Sequence, residues 1–188
     1  GDYCECKEGI CSKEWDEGDG TSLAWQHYER AHWSVQYKLC RPLFQDKPDC
    51  EGDELGAQVQ TAVAEWSPDL TVPRCVCPEK GLYRLTGWKR PNKGAIWEYY
   101  YTCDKRECPL PPQKPGGEKV ECARIYVDAG KRSDKVLEMR FACSCPEGYL
   151  CPAKYNDKED DSRLESDADH ASYVPKHCEP IVKRKRTN

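Results

Sequence analysis

Fourteen cysteines in 188 residues constrain this chain more than any other feature. They stand at Cys4, Cys6, Cys11, Cys40, Cys50, Cys75, Cys77, Cys103, Cys108, Cys122, Cys143, Cys145, Cys151 and Cys178. The number is even, which permits complete pairing, and all fourteen are expected in structural disulfides. Disulfides persist in oxidising compartments, so the sequence predicts a secreted, extracellular protein. Composition points the same way. Leu, Val, Ile and Phe together make only 27 residues, too few for a large aliphatic core. A chain this poor in aliphatics with a large net charge would read as disordered. Here the formal net charge is only −4, with 6 Trp and 11 Tyr. Cross-links, each contributing about 2–4 kcal/mol, would offset the missing burial.

A zinc protein is the competing reading of so many cysteines. Structural zinc sites favour C-x2-C pairs with matching His spacing. This chain has instead three C-x-C pairs, Cys4/Cys6, Cys75/Cys77 and Cys143/Cys145, and no C-x2-C. No metal and no cofactor are expected. No stretch approaches the ~18 apolar residues of a membrane span. The opening Gly1-Asp2-Tyr3-Cys4 is read as a mature or trimmed N-terminus, and no Asn stands in a glycosylation sequon. The mildly acidic balance argues against nucleic acid, which requires a concentrated basic patch.

The cysteines fall into an internal repeat. The phrase Cys-x-Cys-Lys-Glu-Gly starts at Cys4, Cys-x-Cys-Pro-Glu-Lys-Gly at Cys75 and Cys-x-Cys-Pro-Glu-Gly-Tyr at Cys143. Between phrases an aromatic strand ends on Cys40 or Cys103, and a lone cysteine follows, Cys50 or Cys122. The expected organisation is two tandem modules, 1–77 and 78–151, then an acidic tail, 152–188, anchored by Cys178. The fold class expected is mainly all-β, small and disulfide-rich.

Leu137, Met139, Phe141 and Cys143 alternate with polar or small residues, the period of a half-buried strand. With 120–127 they predict a hairpin around the polar link 128–134. A second hairpin joins 82–88 to 95–103, its turn carrying Pro91, Asn92 and Gly94. Residues 108–117, rich in Pro and Gly, predict a loop. Leu55, Val59, Ala62, Val63 and Trp66 lie at helical spacing and predict a short helix ended by Pro68, with strand alternation over 57–62 competing. The segment 156–170 is rich in Asp and Glu and is expected to be a mobile loop or linker.

Few motifs carry chemistry. His27 and His32 are five apart, not at the i,i+4 spacing of a helical metal pair. The acidic run at 156–165 lacks the central glycine of a calcium loop. No nucleophile elbow, zinc helix or phosphate loop is present, and the cysteines are committed to cross-links, so no enzyme is expected. Lys183, Arg184, Lys185 and Arg186 could contact a polyanion, although four basic residues in a run are most often simply solvated. Trp88, Trp97, Tyr99, Tyr100 and Tyr101 crowd one hairpin. Alternation sends Trp97, Tyr99 and Tyr101 to one face and Tyr100 to the other. One face should pack the core in place of Leu and Ile. The other is a candidate contact surface, since Trp and Tyr carry interface energy. These five are the candidate ligand-binding residues.

The phrase Glu138-Met-Arg-Phe-Ala-Cys-Ser-Cys-Pro-Glu-Gly-Tyr-Leu-Cys-Pro152 resembles the closing strand of modules in the Argos (giant-lens) family and related cysteine-rich arthropod venom and salivary proteins. The resemblance covers 75–152, and 4–77 through the repeat. It implies three-finger-like modules, with β-hairpins splayed from a disulfide hub. It also implies capture of an extracellular protein, an EGF-like growth factor in that family, so that receptor activation is blocked. Two other functions remain open: a venom or salivary effector acting on a channel, receptor or host-defence protein, and a structural matrix or silk-associated component.

Overall fold

The computed structural model describes residues 5–15, 21–26, 34–42, 46–62, 70–78, 83–91, 96–103, 106–109, 119–131, 135–169 and 171–181. Cys4, His27, His32 and the basic run 183–186 lie outside them. The fold is all-β with a single short α-helix among the described residues. The chain divides into two compact units at 105/106. Each is taken in turn.

In the first unit, β1 (Ser22–Gln26) and β2 (Ser34–Lys38) form an antiparallel hairpin, and β1 also pairs parallel with the strand at Tyr83–Lys89. The Cys6–Cys40 disulfide closes this segment. The rest is a four-stranded sheet of β3 (Leu55–Thr61), β4 (Leu70–Pro73), β5 (Tyr83–Lys89) and β6 (Trp97–Thr102), in the order β4-β3-β6-β5. Over Leu55–Thr61 the expected helix is a strand, and Val63, Trp66 and Pro68 lie outside the described residues. Its apolar residues follow helical spacing, but β3 is paired on both sides, and a register shift at Gly56 moves the alternation out of phase there. Long-range pairing overrides a local period that also fits a helix.

The second unit contains β7 (Glu121–Val127), β8 (Val136–Phe141), β9 (Tyr149–Leu150), α1 (Asp157–Asp160), β10 (Glu165–Ser166), β11 (Ser172–His177) and β12 (Glu179–Pro180). Its main sheet has the order β10-β11-β7-β8, and β9 pairs with β12. The acidic segment is not a mobile linker. Asn156 caps α1 by accepting from the Lys158 N–H, a 3-10 turn follows over Asp161–Arg163, and β11 lies beside β7. The carboxylate that fixes this segment is Asp160, 2% exposed, which accepts from Lys176 Nζ at 2.7 Å and from the Asn156 N–H at 2.7 Å. A buried carboxylate is tolerated when it is both ion-paired and hydrogen-bonded. Asp161 meets Lys135 Nζ at 2.7 Å beside it.

Six disulfides join Cys6–Cys40, Cys50–Cys75, Cys77–Cys103, Cys108–Cys143, Cys122–Cys151 and Cys145–Cys178. Among the described cysteines Cys11 is free, and Cys4 lies outside the described residues. The other twelve described cysteines are joined to one another. The expected boundary at 77/78 lies inside the first unit, where Cys77–Cys103 bonds across it; that at 151/152 lies inside the second, crossed by Cys145–Cys178.

These bonds and the strand registers align the two units on each other. Cys50 donates its N–H to Val76 O, and Val76 donates to Pro48 O, at 2.8 and 2.9 Å; Cys108 donates to Ser144 O and Ser144 to Arg106 O, both at 2.8 Å. Asp49–Val76 and Glu107–Ser144 are matching parallel bridges. Ala57 lies opposite Tyr101 and Ala123 opposite Lys176, each with a register shift one residue earlier. Thus Cys50 corresponds to Cys108, not to Cys122, and Cys103 corresponds to Cys178. The repeated module runs from about Cys50 to Cys103 and again from Cys108 to Cys178, and each C-x-C phrase lies in its middle. Cys122 and Cys151 take the places of Gly56 and Tyr83. Where the second module has a disulfide, the first has a tyrosine ring. A Cβ built on Gly56 would stand 2.9 Å from Tyr83 Cε1 and 3.3 Å from Cys50 Sγ. Tyr83 is 5% exposed and donates its hydroxyl to Cys75 O at 2.8 Å. Burial holds its phenol well above the ordinary tyrosine range.

Candidate binding surface

The β5–β6 hairpin places the five aromatic candidates, and strand register decides which way each faces. Trp97, Tyr99 and Tyr101 lie opposite Thr61, Val59 and Ala57 of β3. Val59, Ala57 and Thr61 are buried, so this is the inward face. Tyr101 is 4% exposed and belongs to the core. Tyr99 is half-buried, and burial raises its phenol above the ordinary range. Trp88, opposite Tyr99, meets Trp97 at 4.6 Å between ring centroids, tilted by 53°. The Arg90 guanidinium lies 5.1 Å over the Trp97 ring. Such tilted ring pairs and cation–ring stacks are favourable beyond simple area burial.

Tyr100 alone of the five faces the other way. Its hydroxyl donates to Glu98 Oε2 at 2.5 Å, Gln60 Nε2 donates to Glu98 Oε1 at 3.0 Å, and Lys89 Nζ lies 3.4 Å from Glu98 Oε2 and 5.4 Å from the Tyr100 ring centroid. The Tyr100 hydrogen bond, then Lys89 and Gln60, hold the Glu98 carboxyl below its ordinary value. The sequence therefore located an aromatic hairpin whose five members do not form one surface: one is core, three flank it on the inward face, and one belongs to a polar network on the outer face.

The second module carries a different network on the matching face. Arg124 lies 4.6 Å over the Tyr173 ring and Arg140 4.6 Å over Tyr126, with the two rings 5.6 Å apart. Each guanidinium directs its Nε to a glutamate, Glu121 or Glu138, at 2.5 Å. Tyr173 donates its hydroxyl to Glu165 Oε2 at 2.9 Å. These residues were not singled out from the sequence. Their signal is an Arg-x-Tyr and a Glu-x-Arg at strand period, legible only once the cross-strand register is known.

The sulfurs of Cys50, Cys77 and Cys103, and those of Cys122, Cys145 and Cys151, lie close enough to hold a metal. They are instead neighbouring disulfides packed together. A disulfide sulfur has no thiolate to offer a metal. Each cluster is thus a packed group of disulfides within its module. No helix among the described residues is long and apolar enough to cross a membrane.

No family model matches the chain. Among solved structures, unliganded Argos aligns over 95% of this chain and 81% of its own, with a TM-score of 0.39 and 19% identity. A likeness that distant carries no argument about this chain.

Proposed function

We propose that this is a secreted binding protein that captures an extracellular protein ligand and keeps it from its receptor, without catalysis. The supporting observation is the contrast between frame and surface. The disulfide pairing, the bulge and the strand order recur in both modules, whereas the side chains on this face do not: Gln58, Gln60, Glu98 and Tyr100 in one stand where Arg124, Tyr126, Tyr173 and Pro175 stand in the other, with the two tyrosines buried beneath Arg124 and Arg140. A constant rigid frame with divergent outer faces suits recognition, because disulfide-locked strands lose little entropy on binding. The EGF-like growth factors are the ligand class to test first. Oxidised, immobilised protein is exposed to a panel of these factors. Capture at nanomolar affinity, abolished by reduction, is the expected result. Binding only to cell membranes or to itself would overturn the reading in favour of a toxin-like or matrix role.

A further inference from the structure

The alignment of the two modules isolates one surface that the repeat does not explain. On the outer face of β4, Leu70 and Val72 are 48% and 36% exposed. They lie opposite Gln60 and Gln58. At the same end of the sheet Ala62 is exposed and Ile96, just before β6, is 49% exposed. In the second module the matching positions are Glu138, Arg140, Asp128 and Ala171. Glu138 and Arg140 form an ion pair there, with the arginine laid over Tyr126. The scaffold thus accepts charged residues at the two β4 positions, and nothing in the packing of the module requires them to be apolar. Exposed aliphatics at positions where the sister module has an ion pair are not a structural need of the frame.

We propose that Leu70, Val72, Ala62 and Ile96 form the docking patch for the protein ligand inferred above, and that the ligand presents an uncharged aliphatic or aromatic segment to it. Three features select that occupant. Among the described charged groups beside Leu70, Glu98 and Lys89 are paired with one another, which favours an apolar over an ionic contact there. The exposed apolar surface is on the order of 250 Å², well short of the ~800 Å² per partner that a stable symmetric dimer buries. Pro73, at the end of β4, has no N–H to donate, which blunts this edge against pairing with a second copy.

The inference rests on the binding reading, but its test does not depend on which ligand is natural. A phage-displayed peptide library is panned on the oxidised full chain and on L70E/V72R, which carries the second module's own pair and should fold as that module does. E138L/R140V is the control, and circular dichroism confirms that all three are folded. Enrichment of uncharged apolar peptides, weakened at least tenfold by L70E/V72R and unaffected by E138L/R140V, is the expected result. Failure to enrich any peptide, enrichment of charged peptides, or equal binding to L70E/V72R overturns the patch while leaving growth-factor capture to its own assay. A wild-type dimer that L70E/V72R converts to monomer overturns the assigned occupant in favour of a second copy.

Discussion

If the two modules are copies of one frame, the first should accept the disulfide that only the second has. The perturbation is G56C/Y83C, which writes Cys122 and Cys151 into their matching positions. The Cβ at position 56 points at the Tyr83 ring from 2.9 Å, and the bond it would imitate spans 5.9 Å between Cα atoms, well within disulfide reach. Closing the loop between positions 56 and 83 should stabilise the fold by about 3.5 kcal/mol on the chain-entropy estimate. Removing the Tyr83 ring from the core costs about 3–5 kcal/mol. Its lost hydrogen bond to Cys75 O costs about 1 kcal/mol more. The oxidised variant should therefore be about 0.5–2.5 kcal/mol less stable than wild type. G56S/Y83S, which has the same losses and no bond, should lie a further ~3.5 kcal/mol below it. None of the six tryptophans falls in the sequence 106–188, so tryptophan fluorescence during guanidinium unfolding does not report on the second unit. A thiol count gives the second readout, and the oxidised variant should titrate no more thiols than wild type. Two additional reactive thiols in the folded protein, or equal stability of the cysteine and serine variants, would refute the equivalence of the modules.

Three further outcomes follow from the geometry. Lys176→Met leaves the buried Asp160 carboxylate without its cation and should destabilise the second unit by about 3–5 kcal/mol; D160L/K176M should recover most of that, with denaturation followed by near-ultraviolet circular dichroism. Tyr101→Ala should cost about 3–5 kcal/mol because the ring is core, whereas Tyr100→Ala on the outer face should cost about 1 kcal/mol, both read by tryptophan fluorescence. Glu98 titrates below its ordinary value, so it adds stability that is present above the unfolded carboxylate range and is lost as pH falls through the folded value. Tyr100→Phe removes the largest cause of that depression, and an NMR titration of the Glu98 carboxyl should find it shifted upward. An unchanged titration would show that Lys89 and Gln60 alone set it.

Much of the fold was legible in the chain. Cysteine number and spacing required a cross-linked frame, and period-two patterns over 83–102 and 121–141 located two hairpins, because a strand with one buried face must alternate. The aromatic alternation also separated Tyr100 from Trp97, Tyr99 and Tyr101 on the inward face. The phase of the repeat was not legible. The conspicuous C-x-C phrase lies in the middle of each module, and only the bonds to Cys50 and Cys108 on one side and Cys103 and Cys178 on the other show where a module begins and ends. Cys122 looked like the partner of Cys50 in the pattern because both are isolated cysteines, whereas its true counterpart is a glycine. The same limit governs β3, whose residues fit two local periods until strands on both sides select one, and the acidic segment, which composition describes as solvated until Lys176 buries Asp160. Sequence by itself determined which residues could cross-link and which stretches could extend. Tertiary structure decided the register, because register depends on groups far apart in the chain meeting in space, and with it which outer face is an ion pair and which is bare Leu70 and Val72.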